Sequence, residues 1–375
     1  MSDLSDKLSH ELVVSEKIQE TPDAYSFRLA IPKQLEEKFK YRAGQFVTLF
    51  LNVNGEDLRR SYSLCTSPEY DGTFQITVKQ VEGGRGSNHL ALKIQQGDIL
   101  KVSPPQGTFF QPLETNKGAE YFLFSAGSGI TPTFSILKEV LSSDTSARVF
   151  LFFANRDEDH IIYKSELSNL EEKFGDQLVI THRLTKPKSQ ETATYGRCNP
   201  GMIKNFVEIH RQQSVSPKQA YICGPEGFMS SVSEGLKNYG FDEKEIRTES
   251  FKSVTSVPSS ESAEEPEDVD GVIIGDPAAA SSSSPKIVAL INGEQIEIDA
   301  DPELSVLENL INNGKNPPYS CMDGACMACM AKVTAGKVIQ DDFGILTEEN
   351  VEDREALTCQ ARPLSATVNI DYDDL

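Results

Sequence analysis

The chain has 375 residues, 38% of them hydrophobic and 25% charged, with a formal net charge of −21. That length has room for two or three domains, each able to bury its own core. The acidity argues against nucleic acid as a partner, and no stretch reaches the roughly 18 apolar residues of a membrane-spanning helix.

Residues 11–110 carry strand-like runs (AYSFRLAI, QFVTLFLNV, LRRSYSLC, TFQITVKQV, DILKVS) separated by Gly, Pro and Asp turns. One short helical stretch, Ser87–Ile94, interrupts them. Many short strands with a single helix predict a small antiparallel barrel. On one of its strands stands Arg60-Ser61-Tyr62-Ser63. Strand alternation puts Arg60 and Tyr62 on one face and the two serines on the other. An aromatic ring can stack on a flavin, an Arg can pair with phosphates, and a Ser hydroxyl can reach a ring nitrogen. Tyr and Arg on a barrel strand also serve packing and surface, so the motif gains its weight from a second one nearby. Gly84-Arg85-Gly86-Ser87 opens the helical stretch, and backbone N–H groups at a helix N-terminus bind pyrophosphate.

From residue 119 to 252 the rhythm changes. YFLFSA, RVFLFFA, QLVITHRL, AYICG and EIRTESF read as strands, with helical TPTFSILKEVL and SELSNLEEKF between the first three. Apolar strands alternating with helices predict a parallel sheet wrapped by helices. Gly127-Ser128-Gly129-Ile130-Thr131-Pro132 follows the first of these strands. Thr131 reads as a helix N-cap with Pro132 at the first helical position. The glycines let backbone approach a ligand, and the helix dipole favours a dinucleotide phosphate. Asn155-Arg156 lies where a second strand would meet the adenosine ribose, and an Arg there suits a 2′-phosphate, favouring NADPH over NADH. Cys223-Gly224-Pro225-Glu226 ends a later strand. Ligands bind beyond the carboxyl ends of such strands, so Cys223 could face the nicotinamide; a free Cys is also commonly a small core residue.

Residues 253–285 are rich in Ser, Pro, Ala and acid, with seven acidic residues and no basic one. They read as a flexible linker that spans on the order of 30 Å root-mean-square. The apolar Val272–Ile274 inside it is either a docking patch or an incidental run.

Residues 286–375 hold two short strand patterns (KIVALI, EQIEIDA), an amphipathic SVLENLINNG and a cysteine loop. Six Lys/Arg against seventeen Asp/Glu leave this segment at −11, whereas residues 1–252 carry only −3. Cys321, Cys326 and Cys329 stand in C-x4-C-x2-C spacing, and Cys359 follows at a distance. This is the plant-type spacing for a [2Fe–2S] cluster. Structural zinc, the competing reading, favours two short C-x2-C pairs. Gly324, Ala325 and Ala328 keep the loop small enough for backbone N–H groups to approach the sulfides. The other three cysteines (Cys65, Cys198, Cys223) are scattered, a usage that fits a reducing compartment. The N-terminus shows no apolar core of signal-peptide length. A soluble, cytoplasmic protein without membrane insertion is the expectation.

The three pieces make one electron path. A nicotinamide delivers two electrons as a hydride, a [2Fe–2S] cluster accepts one, and a flavin between them converts one currency to the other. No di-iron, haem or Rieske ligand set is apparent in the sequence, so a terminal oxidation would take place on a partner.

With these motifs the chain resembles the ferredoxin–NADP⁺ reductase superfamily with a fused C-terminal plant-type ferredoxin, over nearly its whole length. RSYS matches the family's R-x-Y-S flavin motif, and GRGSNHL its G-x-x-S pyrophosphate motif. GSGITP and CGPEGFM match its nicotinamide signatures. The RRxYS context and the Pro318-Tyr319-Ser320-Cys321 start of the cluster loop are similar to the reductase subunits of phenylacetyl-CoA epoxidases.

The resemblance implies an antiparallel Greek-key β-barrel flavin domain (1–115) and an α/β parallel-sheet nicotinamide-nucleotide domain (116–252). A flexible acidic linker (253–285) and a β-grasp ferredoxin domain (286–375) would follow. It implies FAD held by Arg60, Tyr62, Ser63, Gly84, Gly86 and Ser87. A related class binds FMN and uses NADH, and the G-x-x-S segment favours FAD. It implies nicotinamide nucleotide binding by Gly127, Gly129, Thr131, Arg156, Cys223 and Gly224. Ser63, Cys223 and Glu249, the last in R-T-E-S-F, become the catalytic neighbours. Cys321, Cys326, Cys329 and Cys359 become the cluster ligands, in a loop made Met-rich by Met322, Met327 and Met330. The implied activity is an NAD(P)H-dependent reductase whose ferredoxin domain docks a partner oxygenase, of phenylacetyl-CoA epoxidase type. A desaturase, a ring-hydroxylating oxygenase or a hybrid-cluster protein as acceptor, and a redox-sensing interaction protein, are the alternatives.

Overall fold

The structure is a computed structural model. It describes residues 9–112, 118–188, 195–211, 216–251, 272–276, 285–291, 293–315, 317–319, 324, 329–340, 346 and 348–374. The chain divides into two compact units, Met1–Phe251 and Lys252–Leu375.

The first unit opens with six strands: β1 (His10–Thr21), β2 (Ala24–Ala30), β3 (Phe46–Val53), β4 (Glu56–Ser63), β5 (Gln75–Lys79) and β6 (Ile99–Val102). They form one antiparallel sheet in the order β4-β3-β6-β1-β2-β5. A bridge between Leu64 and Ile76 brings the two edge strands together, so the sheet curls into a barrel. Alternation decides its interior: Val47, Leu49, Leu51 and Val53 are buried, and Leu12 and Val14 of β1 join them. β1, the longest strand, is not among the runs that the sequence predicts. Its alternation is masked by charged residues and by an exposed Val13 between the two buried positions.

Five further strands, β7 (Glu120–Ala126), β8 (Arg148–Asn155), β9 (Leu178–Leu184), β10 (Lys218–Cys223) and β11 (Ile246–Glu249), build a parallel sheet ordered β11-β10-β7-β8-β9. Its central strands are buried on both faces, which explains runs such as YFLFSA and VFLFFA with no polar alternation. Tyr121, Leu123, Leu151 and Phe153 pack to one side with the helices Ile130–Ser143 and Lys164–Phe174. Phe122, Phe124, Phe150 and Phe152 pack to the other with Pro200–Arg211 and Glu226–Tyr239.

Barrel and sheet are tied by polar contacts. Lys138, 3% exposed on the helix Ile130–Ser143, pairs with Asp71 at 2.7 Å. Ser135 Oγ donates to Thr66 O at 2.6 Å, and the fully buried Tyr163 donates its hydroxyl to Thr77 Oγ1 at 2.5 Å. Tyr221 donates to Gln111 O at 2.7 Å. Buried polar groups matched in this way fix one relative placement of the two sheets.

The second unit contains β12 (Val272–Gly275), β13 (Lys286–Ile291), β14 (Glu294–Asp299), β15 (Met330–Ala335), β16 (Lys337–Gln340), β17 (Glu355–Leu357), β18 (Arg362–Pro363) and β19 (Thr367–Asp371). A mixed sheet ordered β14-β13-β19-β15-β17, with β13 and β19 parallel, carries the helix Val306–Asn312 on its core. That helix starts in a capping box: Ser305 Oγ accepts from Glu308 N while the Glu308 carboxylate accepts from Ser305 N. A smaller sheet is ordered β12-β16-β18.

β12 lies within the stretch read as linker. It pairs antiparallel with β16 and buries Ile274, so the apolar run is part of the second unit's sheet. Residues 253–271 and 277–284 of that stretch lie outside the described residues.

Candidate flavin, nucleotide and cluster sites

The flavin motifs meet through a glycine. β4 pairs with β3 so that Arg60 stands opposite Leu49 and Tyr62 opposite Val47, while Ser61 and Ser63 oppose Thr48 and Phe46. The helix that the second motif opens runs Arg85–Lys93, with Gly84 as its N-cap. A Cβ at Gly86 would lie 3.1 Å from Arg60 Cγ and 3.6 Å from Leu51 Cδ1, so the guanidinium stem lies close along the helix start and a side chain there would push it aside. Gly84 is equally constrained, since a Cβ there would come within 2.6 Å of Ser87 Oγ. Ser87 Oγ in turn accepts from Val81 N at 3.2 Å, which folds the turn over the helix end. Arg60 and the helix N-terminus therefore share one place, the kind of donor set a pyrophosphate requires. Tyr62 is half-buried beside them, and burial pushes its phenol well above the usual range.

At the carboxyl edge of the parallel sheet the second set assembles. Gly127 has φ +56° and begins a tight 3-10 turn, Gly127–Gly129, that runs straight into the helix Ile130–Ser143. The N-cap is consequently Gly129, which corrects the expectation for Thr131. Thr131 sits inside the first turn and donates its hydroxyl to Ser128 O at 3.0 Å, because the 3-10 turn starts the helical path earlier than the Thr-Pro pair suggests. Pro132 is still tolerated, since the first-turn N–H groups lack intrahelical partners anyway. Gly129 is obligatory by contact: a Cβ would lie 2.2 Å from Cys223 O. At Gly224 a Cβ would stand 3.0 Å from both Ala126 Cβ and Phe228 Cδ1. The two glycine motifs thus close on each other across β7 and β10.

Three residues then bridge the barrel and this edge. Ser63, buried, donates to Glu249 Oε2 at 3.1 Å. Glu249 and Cys223 are register partners on β11 and β10. Burial raises the Glu249 carboxyl to about 7, with the Ser63 hydrogen bond pulling the other way. Burial, then the neighbouring Glu249, pushes the Cys223 thiol far above its ordinary value. Cys223 is therefore a neutral thiol, fit to pack against a ligand rather than to attack one.

Arg156 follows β8, with its side chain 61% exposed and its Nε 3.2 Å from Asp157 Oδ2. Burial alone would raise Asp157, but hydrogen bonds from His160 and Arg156 outweigh it and hold the carboxyl at about 2. Two further residues complete this edge: Asn155, placed by the sequence beside the adenosine ribose, and Lys79, which carried no sequence signal. Asn155 is 6% exposed, yet neither its amide nitrogen nor its oxygen has a hydrogen-bond partner. It lies one residue past the Ala126–Ala154 pair, level with Gly127. Lys79 of β5 ends 3.7 Å from where a Gly127 Cβ would be, and pairs with Asp23 at 3.7 Å. An orphaned amide and a lysine beside a left-handed glycine suit a dinucleotide phosphate and its sugar.

Cys329 and Cys359 converge in the second unit, both buried, with their sulfurs 3.1 Å apart. The β15–β17 register, Met330 opposite Leu357, places the residue before β15 next to the turn after β17. Thr358 closes the pair: its N and Oγ1 both donate to Cys329 O, at 3.2 and 2.7 Å, and Tyr372 donates its hydroxyl to Thr358 Oγ1 at 2.9 Å. Cys359 sits in that turn rather than on a strand. Cys321 and Cys326 lie outside the described residues, and Gly324 between them has φ +73°. Two converging sulfur donors held by a buried hydroxyl relay fit half of an iron–sulfur ligand set.

Fold and sites together define a flavin- and iron–sulfur-dependent oxidoreductase with a nicotinamide nucleotide domain. Residues 11–110 match the oxidoreductase FAD-binding domain family, 123–234 the oxidoreductase NAD-binding domain family, and 289–364 the 2Fe-2S iron-sulfur cluster binding domain family. The ferredoxin reductase component of 3-ketosteroid-9-alpha-monooxygenase from Rhodococcus rhodochrous is 32% identical, covering 96% of each chain. A 1,2-phenylacetyl-CoA epoxidase subunit from Escherichia coli (strain K12) is 31% identical over 97% of this chain and 98% of its own. The solved structure of phthalate dioxygenase reductase shares the fold, with a TM-score of 0.59 and 22% identity over 98% of this chain and 99% of that one. The chain belongs to the ferredoxin–NADP⁺ reductase superfamily, in the branch that carries FAD-binding, NAD-binding and C-terminal 2Fe-2S ferredoxin domains.

Proposed function

We propose that this chain is the reductase component that draws electrons from NADPH and delivers them singly to a partner oxygenase. A flavin held by these residues would supply the chemistry that links a two-electron hydride donor to a one-electron [2Fe–2S] acceptor. The observation that carries this reading is the Ser63–Glu249–Cys223 contact, which joins the R-x-Y-S strand to the carboxyl edge of the nucleotide sheet. Arg60 and the Gly84–Ser87 turn would hold the flavin's pyrophosphate. Gly127, Gly129 and Gly224 keep side chains out of the way of the nucleotide. Ser63 offers its hydroxyl to the flavin ring, and Glu249 orients that hydroxyl and holds a proton close by near neutral pH. Cys223 excludes water from the place where the nicotinamide would lie.

The two relatives belong to a steroid monooxygenase and to an epoxidase. The same reductase architecture thus feeds different terminal oxidations, which supports an oxygenase partner that docks at the acidic ferredoxin domain. The RRxYS context supports one of phenylacetyl-CoA epoxidase type. Arg156 supports NADPH as the donor. Anaerobic titration with NADPH and then NADH checks this: half-reduction should need roughly tenfold less NADPH, and Arg156→Gln should erase that preference. Equal use of both nucleotides by the unmodified chain would sink the NADPH assignment.

A further inference from the structure

Cys359 receives a hydrogen bond that a ligand set does not by itself require. The Gln360 side-chain amide donates from Nε2 to Cys359 Sγ at 3.4 Å. The turn fixes the backbone that carries this side chain, since Gln360 N and Ala361 N both donate to Leu357 O, at 2.8 and 2.9 Å. Cys359 is 8% exposed, so little water competes for the sulfur.

This contact differs in kind from the Tyr372–Thr358 relay. That relay ends on the Cys329 carbonyl and fixes where two ligands stand. The Gln360 bond ends on sulfur and acts on its charge. An added electron on a cluster spreads onto its ligand sulfurs, and an N–H aimed at one of them stabilises the reduced state more than the oxidised one. An uncharged primary amide does this at every physiological pH, unlike a histidine or a carboxylic acid.

We infer that Gln360 sets the reduction potential of the cluster, its amide raising that potential through the Cys359 sulfur and so favouring electron flow away from the flavin. The electron balance is simple: one electron reaches the cluster from the reduced flavin, which the nicotinamide has supplied with two, and Gln360 gains and loses nothing. The inference rests on Cys359 being a cluster ligand.

Gln360→Met keeps length and burial but removes the donor. The full-length holoprotein is titrated spectroelectrochemically, with the reduced cluster followed by EPR and the flavin couple recorded in the same run. The cluster midpoint should move to more negative potential by about a tenfold change in its one-electron equilibrium, or about 59 mV, while the flavin midpoint stays put. Full iron content with an unmoved cluster midpoint would overturn the assignment. If the variant fails to assemble a cluster, pulsed EPR on the unmodified chain with 15N in glutamine side chains decides. A nitrogen coupling to the reduced cluster supports the contact, and its absence removes it. Cys359→Ser separates the underlying reading: a native cluster in that variant would mean that Cys359 is no ligand, whatever Gln360 does.

Discussion

The two units build their sites by opposite routes. In the first, Ser63 of the barrel and Glu249 of the parallel sheet meet across 186 residues. In the second, Cys329 and Cys359 are 30 residues apart and are joined by one strand pair and a turn. A site assembled over long range depends on the packing of whole sheets, such as the buried Lys138–Asp71 pair between barrel and helix. A site assembled locally depends on the residues next to its ligands. The units differ in charge too: −3 for residues 1–252 against −11 for residues 286–375. A near-neutral body suits small ligands held by shape, and an acidic module suits encounter with a basic protein surface.

The sharpest break in this comparison is Cys359→Ser. It should abolish the native cluster signal and slow cytochrome c reduction by at least roughly tenfold, while FAD content and ferricyanide reduction, which needs only the flavin, stay near normal. Loss of FAD along with the cluster would show that the second unit's site is not independent.

Next in size is Gly129→Ala. Its Cβ would meet Cys223 O at 2.2 Å, backbone that cannot rotate away. A cost of about 1–3 kcal/mol in unfolding free energy is expected, together with weaker nucleotide binding and an unaltered cluster EPR signal. Wild-type stability in chemical denaturation would show that β7 and β10 are not locked together as described.

The smallest effect is a pH dependence at Glu249. Its folded carboxyl titrates at about 7, against 4.5 for the free side chain. Between those values the folded flavin-free chain holds a proton that the unfolded chain has lost. Stability contributed by this group is thus complete below about 4.5 and declines as pH rises, levelling above about 7. Glu249→Gln should flatten that slope in thermal melts of the flavin-free chain, and an identical slope would place the titration elsewhere.

The same contrast governs what the sequence revealed. The barrel and parallel sheet were legible because period-2 alternation and doubly buried apolar runs are local patterns. The cluster spacing was legible for the same reason, as were both glycine motifs. β1 escaped because its buried positions are sparse, and the helices Pro200–Arg211 and Glu226–Tyr239 were foreseen only as part of a general alternation. Thr131 was misplaced because a 3-10 turn at Gly127–Gly129 starts the helix two residues earlier, and nothing in Thr-Pro reveals that. Lys79 and the buried Lys138 had no signature: a lysine on a strand or a helix normally faces water, and only tertiary packing reverses that.

The central claim is that electrons enter at the Ser63–Glu249–Cys223 junction and leave through the ferredoxin unit. Anaerobic stopped-flow mixing of the holoprotein with NADPH, following flavin and cluster absorbance separately, tests it most directly. The flavin should bleach first and the cluster after it, and Cys359→Ser should keep the first phase and lose the second. A cluster that reduces before the flavin, or a bound flavin that never bleaches, would contradict the account.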